Sequence, residues 1–587
     1  MRSSEKADGF SVHAISGSHA VLLAMNATPE ARRHLAGFAI GMVGPEGPRW
    51  LRGFKFFKSR VPDPKPGERR STHDHPIQSF LWGHYSAEPG ERYHYVIRPM
   101  FFPADGDPAH LRPGTDLTIA VRTEESETGT HSVFFNRGAI VSQAFAERFG
   151  NRAPANPDDP ADEEVRWLSR GLLEAALGFI AEAGGPSFEL RCCFYELTYK
   201  PVLDALRAAA MAGAKVQVIF DAGHVLASGE LDIDVTAKAN LETVAQYADV
   251  AGLTFHKRTR HISIPHNKFM ILLKDGVPQT LWTGSTNITP SGFLGQTNVG
   301  HLVRDPVVAS TYNDYWQQLA TDPDRKQLKA WVDANNPEPK GPLPGHGTSV
   351  VFSPRPSQRM LKWYGERIDA AEQTVMLTAA FGVTRELAAH FDNDRDYLRF
   401  LLMERANASP ETQAMLERDR DTRIALGMPL GRDTFGRKLP GWKLDQWLLE
   451  EDHFRHEGHV FYVHTKLMAI DPLTASPQIF SGSANFSPAS LSSNDENMLL
   501  ISGDSRVADI YTTEFFRLFN HFYFRTVANA VAGRGQAPGQ GPDADGGQGG
   551  QLGKVVYLDP TDRWTNSYFQ EGSYHSRRRT LFGVSPS

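Results

Sequence analysis

Between Tyr462 and Leu499 the chain reads YVHTKLMAIDPLTASPQIFSGSANFSPASLSSNDENML. The polar residues here have the types and spacing that phosphoryl chemistry needs. His464 and Lys466 lie two apart in a run otherwise made of Val463, Leu467, Met468, Ala469 and Ile470. In an extended strand both side chains therefore point to one face. A turn at Asp471-Pro472 leads to a second strand ending in Ser481-Gly482-Ser483-Ala484-Asn485. An imidazole, an ammonium and the polar tips of Ser483 and Asn485 can converge there on one small anion. Phosphate fits this set, because lysine supplies charge while serine and asparagine supply donors for its oxygens.

The chain carries the unit twice. Residues 262–299 read ISIPHNKFMILLKDGVPQTLWTGSTNITPSGFLGQTNV, with His266, Lys268, Gly284, Ser285 and Asn287. From histidine to asparagine the spacing is 287 − 266 = 21 in the first copy and 485 − 464 = 21 in the second. Each copy is followed by a helical segment with aromatics, TYNDYWQQL at 311–319 and IYTTEFFRLF at 510–519. Duplication of a whole supersecondary unit implies that each half supplies half of one site.

H-x-K followed by G-S-x-N, present twice, resembles the phospholipase D superfamily over residues 160–530. The second copy fits its pattern with His464, Lys466, Asp471, Gly482, Ser483, Asn485 and Glu496. The first departs from it: Leu273 stands five residues after Lys268, with Asp275 two further on, and Thr297 stands where the second copy has Glu496. The resemblance implies two α/β halves packed about a pseudo-twofold, with His266 and His464 meeting at one site that needs neither metal nor cofactor. It implies catalytic roles for His266, Lys268, His464, Lys466 and Glu496. Asn287, Asn485, Ser285 and Ser483 would hold the phosphate, and Asp471 would brace the turn after its strand. Family habit makes His266 the nucleophile. Glu496 is expected to accept a hydrogen bond from His464, fixing its tautomer and raising its pKa. Replacing Glu496 with Gln would then act as a milder form of His464→Ala.

Two imidazoles can cleave a phosphodiester near neutral pH. One attacks phosphorus and becomes phosphohistidine, while the other protonates the leaving group and then activates water. The lysines and asparagines stabilise the oxygens of the transferring group. The expected activity is phosphodiester hydrolysis with a phospholipid or related diester favoured, which belongs to lipid metabolism. A nuclease using the same residues, or a lapsed phosphate-binding protein served by its N-terminal module, are the alternatives.

Four kinds of element surround or position these residues. Residues 1–150 show short aromatic or alternating runs such as GFAIGMV and RYHYVIRPMFF between Pro/Gly/Asp clusters, the pattern of an antiparallel β-sandwich. Within it, His73 and His75 share a strand face, but two ligands do not make a metal site, and a turn or packing role is expected. Arg137 is expected at a strand-to-helix junction rather than in a cleft. After the acidic linker 156–165, strand and helix patterns alternate over 160–335 as a first α/β half, and again over 336–530 as a second. An insertion at 405–458 is aromatic for a surface element (Trp442, Trp447, His453, Phe454, His456) and is expected to shape substrate access. Residues 531–587 combine a Gly/Gln-rich linker with an aromatic docking tail, in which Arg577-Arg578-Arg579 reads as a solvated charge run.

Composition sets outer bounds. With 587 residues the chain has room for several domains, and its 40% apolar and 22% charged content is that of an ordinary globular protein. A net charge of −6 argues against a general nucleic-acid coat. Cys192 and Cys193 are the only cysteines; as neighbours in a strand they read as small buried thiols, not as a bridge. Neither a signal peptide nor an apolar run of spanning length is visible, so the expectation is a cytoplasmic protein. Both half-sites in one chain point to a monomer.

Overall fold

A computed structural model of the chain describes residues 1–44, 47–65, 68–138, 143–150, 154–261, 263–429, 462–532 and 557–583. Trp442, Trp447, His453, Phe454 and His456, and the Gly/Gln-rich linker, lie outside the described residues.

The N-terminal part is two antiparallel sheets. Arg2–Ala7, Phe10–Ser16, Val21–Ala27 and Leu81–His84 pair in one. The long strands Leu35–Gly44, Arg92–Phe101 and Leu117–Arg122 form most of the other. Leu117–Arg122 alternates buried and exposed residues along its length, so Leu117, Ile119 and Val121 face inward. They join Val12, Leu23, Ile40, Tyr95 and Ile97 in one core between the sheets. His75 belongs to this packing: its Nδ1 accepts from the Phe57 N–H at 3.1 Å and its ring lies against Phe56 and Phe57.

Two seven-stranded sheets follow, and their strand orders are the same. In the first, Lys268–Lys274 lies between Val277–Gly284 and Phe188–Phe194, with Lys215–Asp221 and Leu253–Arg258 beyond, running parallel to Phe188–Phe194. In the second, Leu467–Ile470 lies between Gln478–Gly482 and Thr374–Ala379, with Leu398–Met403 and Thr422–Leu426 beyond. The other edge of each sheet is an antiparallel strand. His131–Phe135 pairs with Val299–Val303, and Gly347–Ser353 pairs with Glu496–Ser502. His131–Phe135, which the sequence pattern assigns to the N-terminal sandwich, therefore belongs to the first α/β sheet. Short apolar strands look alike in sequence, and only the hydrogen-bond partner distinguishes the two assignments.

Both faces of each sheet are covered. Their inner faces share one core, in which Phe269, Ile271, Leu467, Ala469 and Leu499 pack around Tyr312, Tyr315 and Trp316 of helix Pro306–Ala320 and Ile510, Tyr511 and Phe515 of helix Ser505–Ala532. The outer faces carry separate clusters, one per half. Burial on both faces explains why the central strands are nearly continuous apolar runs. Cys192 and Cys193 are buried free thiols within that packing.

The C-terminal tail returns across the molecule. Trp564 donates its indole N–H to Leu35 O, and Tyr568 packs on Phe80 of the sandwich. Phe582 packs on Phe516 of the long helix. The three consecutive arginines are not a solvated run. Arg577 pairs with Asp421 and Asp396, Arg578 lies over the Tyr574 ring, and Arg579 donates to Tyr568 O and Asn26. Arg137, as expected, sits at a junction, donating to Trp167 O at 2.9 Å and stacked on the Trp167 ring. No helix among the described residues is long and apolar enough to cross a membrane.

Candidate active site

Each half brings its polar residues together through one hairpin. His266 and His464 stand just ahead of the central strands, and Lys268 and Lys466 begin or adjoin them. The second strand of each hairpin returns Ser285 and Asn287, or Ser483 and Asn485, to the same end. The glycine of G-S-x-N has a steric reason. A Cβ on Gly284 would lie 2.1 Å from Val299 O, and one on Gly482 would lie 2.3 Å from Asn497 O. That close approach lets the Ser285 N–H donate to Val299 O and the Ser483 N–H donate to Asn497 O, at 3.0 and 2.9 Å.

The halves meet along these ends. The Thr297 N–H donates to Tyr462 O at 2.6 Å, the Asp495 N–H to Ile264 O at 3.1 Å, and Asn497 Nδ2 to Asn267 Oδ1 at 2.8 Å. Buried Arg258 adds an ion pair, donating to Asp495 at 2.8 Å. Glu404, at the end of its strand, accepts from the Val463 N–H at 2.7 Å and so fixes the approach to His464. As a result the His266 and His464 rings stand 6.4 Å apart between centroids, at 76°. His266, His464, Lys268, Lys466, Ser285, Ser483, Asn287 and Glu496 are all buried. Asn485 is half-buried, and its Oδ1 is buried without a hydrogen bond among the described residues.

The partner of Glu496 is not His464. His266 Nδ1–H donates to Glu496 Oε2 at 2.9 Å, while His464 Nδ1–H donates to Asn298 Oδ1 at 2.9 Å. Each histidine is held by the opposite half, because the halves cross-pair at the seam. The residue matching Glu496 is likewise Asn298 and not Thr297. Counting from each histidine gives 298 − 266 = 32 and 496 − 464 = 32. The hydroxyls agree: Ser483 donates to Glu496 at 2.7 Å and Ser285 to Asn298 at 2.8 Å. Asn298 was legible in the sequence through this spacing alone. With each Nδ1 used as a donor, Nε2 is the ring nitrogen left to react in each histidine.

Lys268 Nζ and Lys466 Nζ each donate to the carbonyl of the histidine two residues before, at 2.6 and 2.7 Å. Burial and these two lysines hold both imidazoles well below their ordinary pKa, so the rings are neutral. Burial lowers Lys268 to about 8 and also lowers Lys466, which faces Lys268. Burial raises Glu496 to about 7. The expected rise in His464 basicity does not occur, since the carboxylate lies against the other ring and desolvation outweighs the available attraction.

Asp471 stays away from this centre. Its carboxylate accepts from the backbone N–H groups of Glu372, Gln373 and Thr374, at 2.8, 2.7 and 2.9 Å, and so caps the start of Thr374–Ala379. One further residue joins the site without a motif to announce it. Glu196, two residues past the strand Phe188–Phe194, accepts from Asn287 Nδ2.

Residues 179–320 match the family model described as the phospholipase D-like domain of cardiolipin synthase. No curated protein matches the chain. Among solved structures, phosphatidylserine synthase of Haemophilus influenzae is 13% identical, over 60% of this chain and 85% of that one, with a TM-score of 0.41. Nuc of Salmonella typhimurium, a phospholipase D family member, is 22% identical over 25% of this chain and 86% of that one, with a TM-score of 0.20. Polyphosphate kinase of Porphyromonas gingivalis is 14% identical over 58% of this chain, with a TM-score of 0.35; the match spans only 46% of the kinase.

Proposed function

We propose that this chain, which belongs to the phospholipase D superfamily through its residues 179–320, is a phosphodiesterase that works through a covalent phosphohistidine and needs no metal. The observation that carries the reading is the pair of neutral imidazoles 6.4 Å apart, each held at Nδ1 by the other half. Their different acceptors support different roles. A carboxylate against Nδ1–H favours a ring that becomes positive, so His266 is the nucleophile and Glu496 steadies it once phosphorylated. His464, held by a neutral amide, keeps a low pKa and passes a proton readily.

In the first step His266 Nε2 forms a bond to phosphorus as the phosphorus–oxygen bond to the leaving alcohol breaks. His464, neutral in the free site, takes a proton from solvent at Nε2 as the anionic diester binds beside it, and gives that proton to the leaving oxygen. In the second step neutral His464 takes a proton from water, the hydroxide attacks phosphorus, and the phosphorus–nitrogen bond breaks. A phosphomonoester leaves and His266 is restored. Lys268 and Lys466 offset the charge on the oxygens in both steps, and Asn287 and Asn485 donate hydrogen bonds to them. The favoured substrate is a phospholipid or a related small diester.

Purified protein in excess chelator would be assayed on phosphatidylcholine vesicles, single- and double-stranded nucleic acid, and an aryl phosphodiester. Turnover of the small diester or lipid in chelator, with acid-labile, alkali-stable label on His266, is the expected result. Activity that is lost on chelation and restored by a divalent ion would overturn the reading.

A further inference from the structure

The two halves are alike in their hairpins and unlike beside them. Phe188–Phe194 and Thr374–Ala379 occupy the same place in their sheets, since Cys192 pairs with Met270 and Leu377 with Met468, two equivalent positions. Two residues beyond the first strand stands Glu196; two residues beyond the second stands Phe381, which is 61% exposed. Only the first half therefore brings a carboxylate to the site from this position.

Glu196 Oε2 accepts from Asn287 Nδ2, and Glu196 faces both Lys268 and Lys466. Its Oε1 takes no hydrogen bond among the described residues. Beside it, Asn287 is 6% exposed and its Oδ1 also lacks a hydrogen bond. Asn287 Oδ1 and Asn485 Oδ1, one from each half, are thus buried acceptors without donors, and half-buried Glu196 adds Oε1 beside the first of them only. Buried acceptors without partners are costly, and a ligand that carries N–H or O–H groups relieves that cost. The neighbouring Tyr195 ring, which packs against His266, closes the same side of the site with an aromatic face.

We propose that Glu196 is a specificity residue: it accepts from an ammonium or hydroxyl group borne on the diester substrate, next to the phosphate. The inference rests on the phosphodiesterase reading and narrows it to small diesters with a donor group. A polyanionic strand would bring further phosphates toward the same carboxylate, and like charges there disfavour it.

The test uses the full chain and two matched substrates, 4-nitrophenyl 2-aminoethyl phosphate and 4-nitrophenyl ethyl phosphate. The quantity read is the ratio of their kcat/KM values within one preparation, which a partly unfolded sample does not change. The wild type is expected to favour the aminoethyl ester by about tenfold or more, the worth of one charge-assisted hydrogen bond. Glu196→Gln is expected to bring the ratio toward one. A wild-type ratio near one, or a ratio that Glu196→Gln leaves intact, overturns the inference while the phosphodiesterase reading stands. Should neither ester turn over, that reading fails. Calorimetric binding of phosphoethanolamine against ethyl phosphate, wild type against Glu196→Gln, then decides the Glu196 assignment by the same ratio.

Discussion

At the scale of residues, the site is a pair of histidines made unequal by what each touches. His266 donates to Glu496 and His464 donates to Asn298. His266→Ala is therefore expected to lose on the order of 10⁴-fold in kcat on every diester, because no covalent intermediate forms. His464→Ala is expected to lose about 10²- to 10⁴-fold on an alkyl diester, whose leaving group needs a proton. On an aryl diester its loss should stay under about tenfold. Stopped-flow and steady-state assays on both substrates check this; equal losses for the two variants on the aryl diester would remove the role assignment. Glu496→Gln should now follow His266 rather than His464, slowing aryl and alkyl diesters alike.

The same contacts set a pH profile. Glu496 must be ionised to accept from His266, and burial places that ionisation near pH 7. Lys268 must be protonated to neutralise phosphate, and burial brings its loss of charge to about 8. On an aryl diester, whose leaving group needs no proton from His464, activity should rise as pH climbs through the first value and fall as it passes the second, giving a narrow bell. Glu496→Gln should lack the acidic limb and keep the alkaline one. An unchanged acidic limb in that variant would assign the limb to another group.

At the scale of elements, Asp471 illustrates how a motif residue can serve the frame. Its carboxylate caps three consecutive N–H groups where Thr374–Ala379 begins, a strand that pairs directly with Leu467–Ile470. Asp471→Ala should cost about 2 kcal/mol of stability, since the capped groups at the start of this interior strand recover only part of their bonding from water. Urea unfolding measures that loss. Activity per folded molecule should hold, because Asp471 touches none of the site residues. In the first half Leu273 stands at the matching position, so that strand start is held without a carboxylate there.

At the scale of the molecule, the two halves share one core and one seam, so neither is complete alone. A fragment running from before His131 to Asn335 would keep all seven strands of its sheet. It would still lack His464, Lys466 and Glu496, and would expose the inner face that helix Ser505–Ala532 covers. Negligible turnover is expected from it, and recovery on mixing with the complementary fragment would support a shared site. The tail adds a second tie across the molecule. Arg577→Ala leaves buried Asp421 without its cation, whose carboxyl burial already raises to about 6. Earlier proteolytic release of residues after Tyr557 in that variant is the expected outcome, read by mass spectrometry.

The sequence by itself determined the duplicated hairpin and the polar residues it carries. Spacing of 21 residues between histidine and asparagine, in both copies, is a local property that survives without coordinates. The α/β order of each half was legible for the same reason, since apolar runs and helical periodicity are written along the chain. Three things depended on which segments lie beside one another in space. The strand His131–Phe135 joined the first sheet through its partner Val299–Val303. The Arg577–Arg579 run found partners on Asp396, Asp421, Tyr574, Tyr568 and Asn26. Above all, Glu496 chose His266, 230 residues away, over His464 in its own half. A hydrogen bond reaches about 3 Å, and the packing of the halves decides which imidazole stands within that reach. No spacing along a single chain encodes that choice.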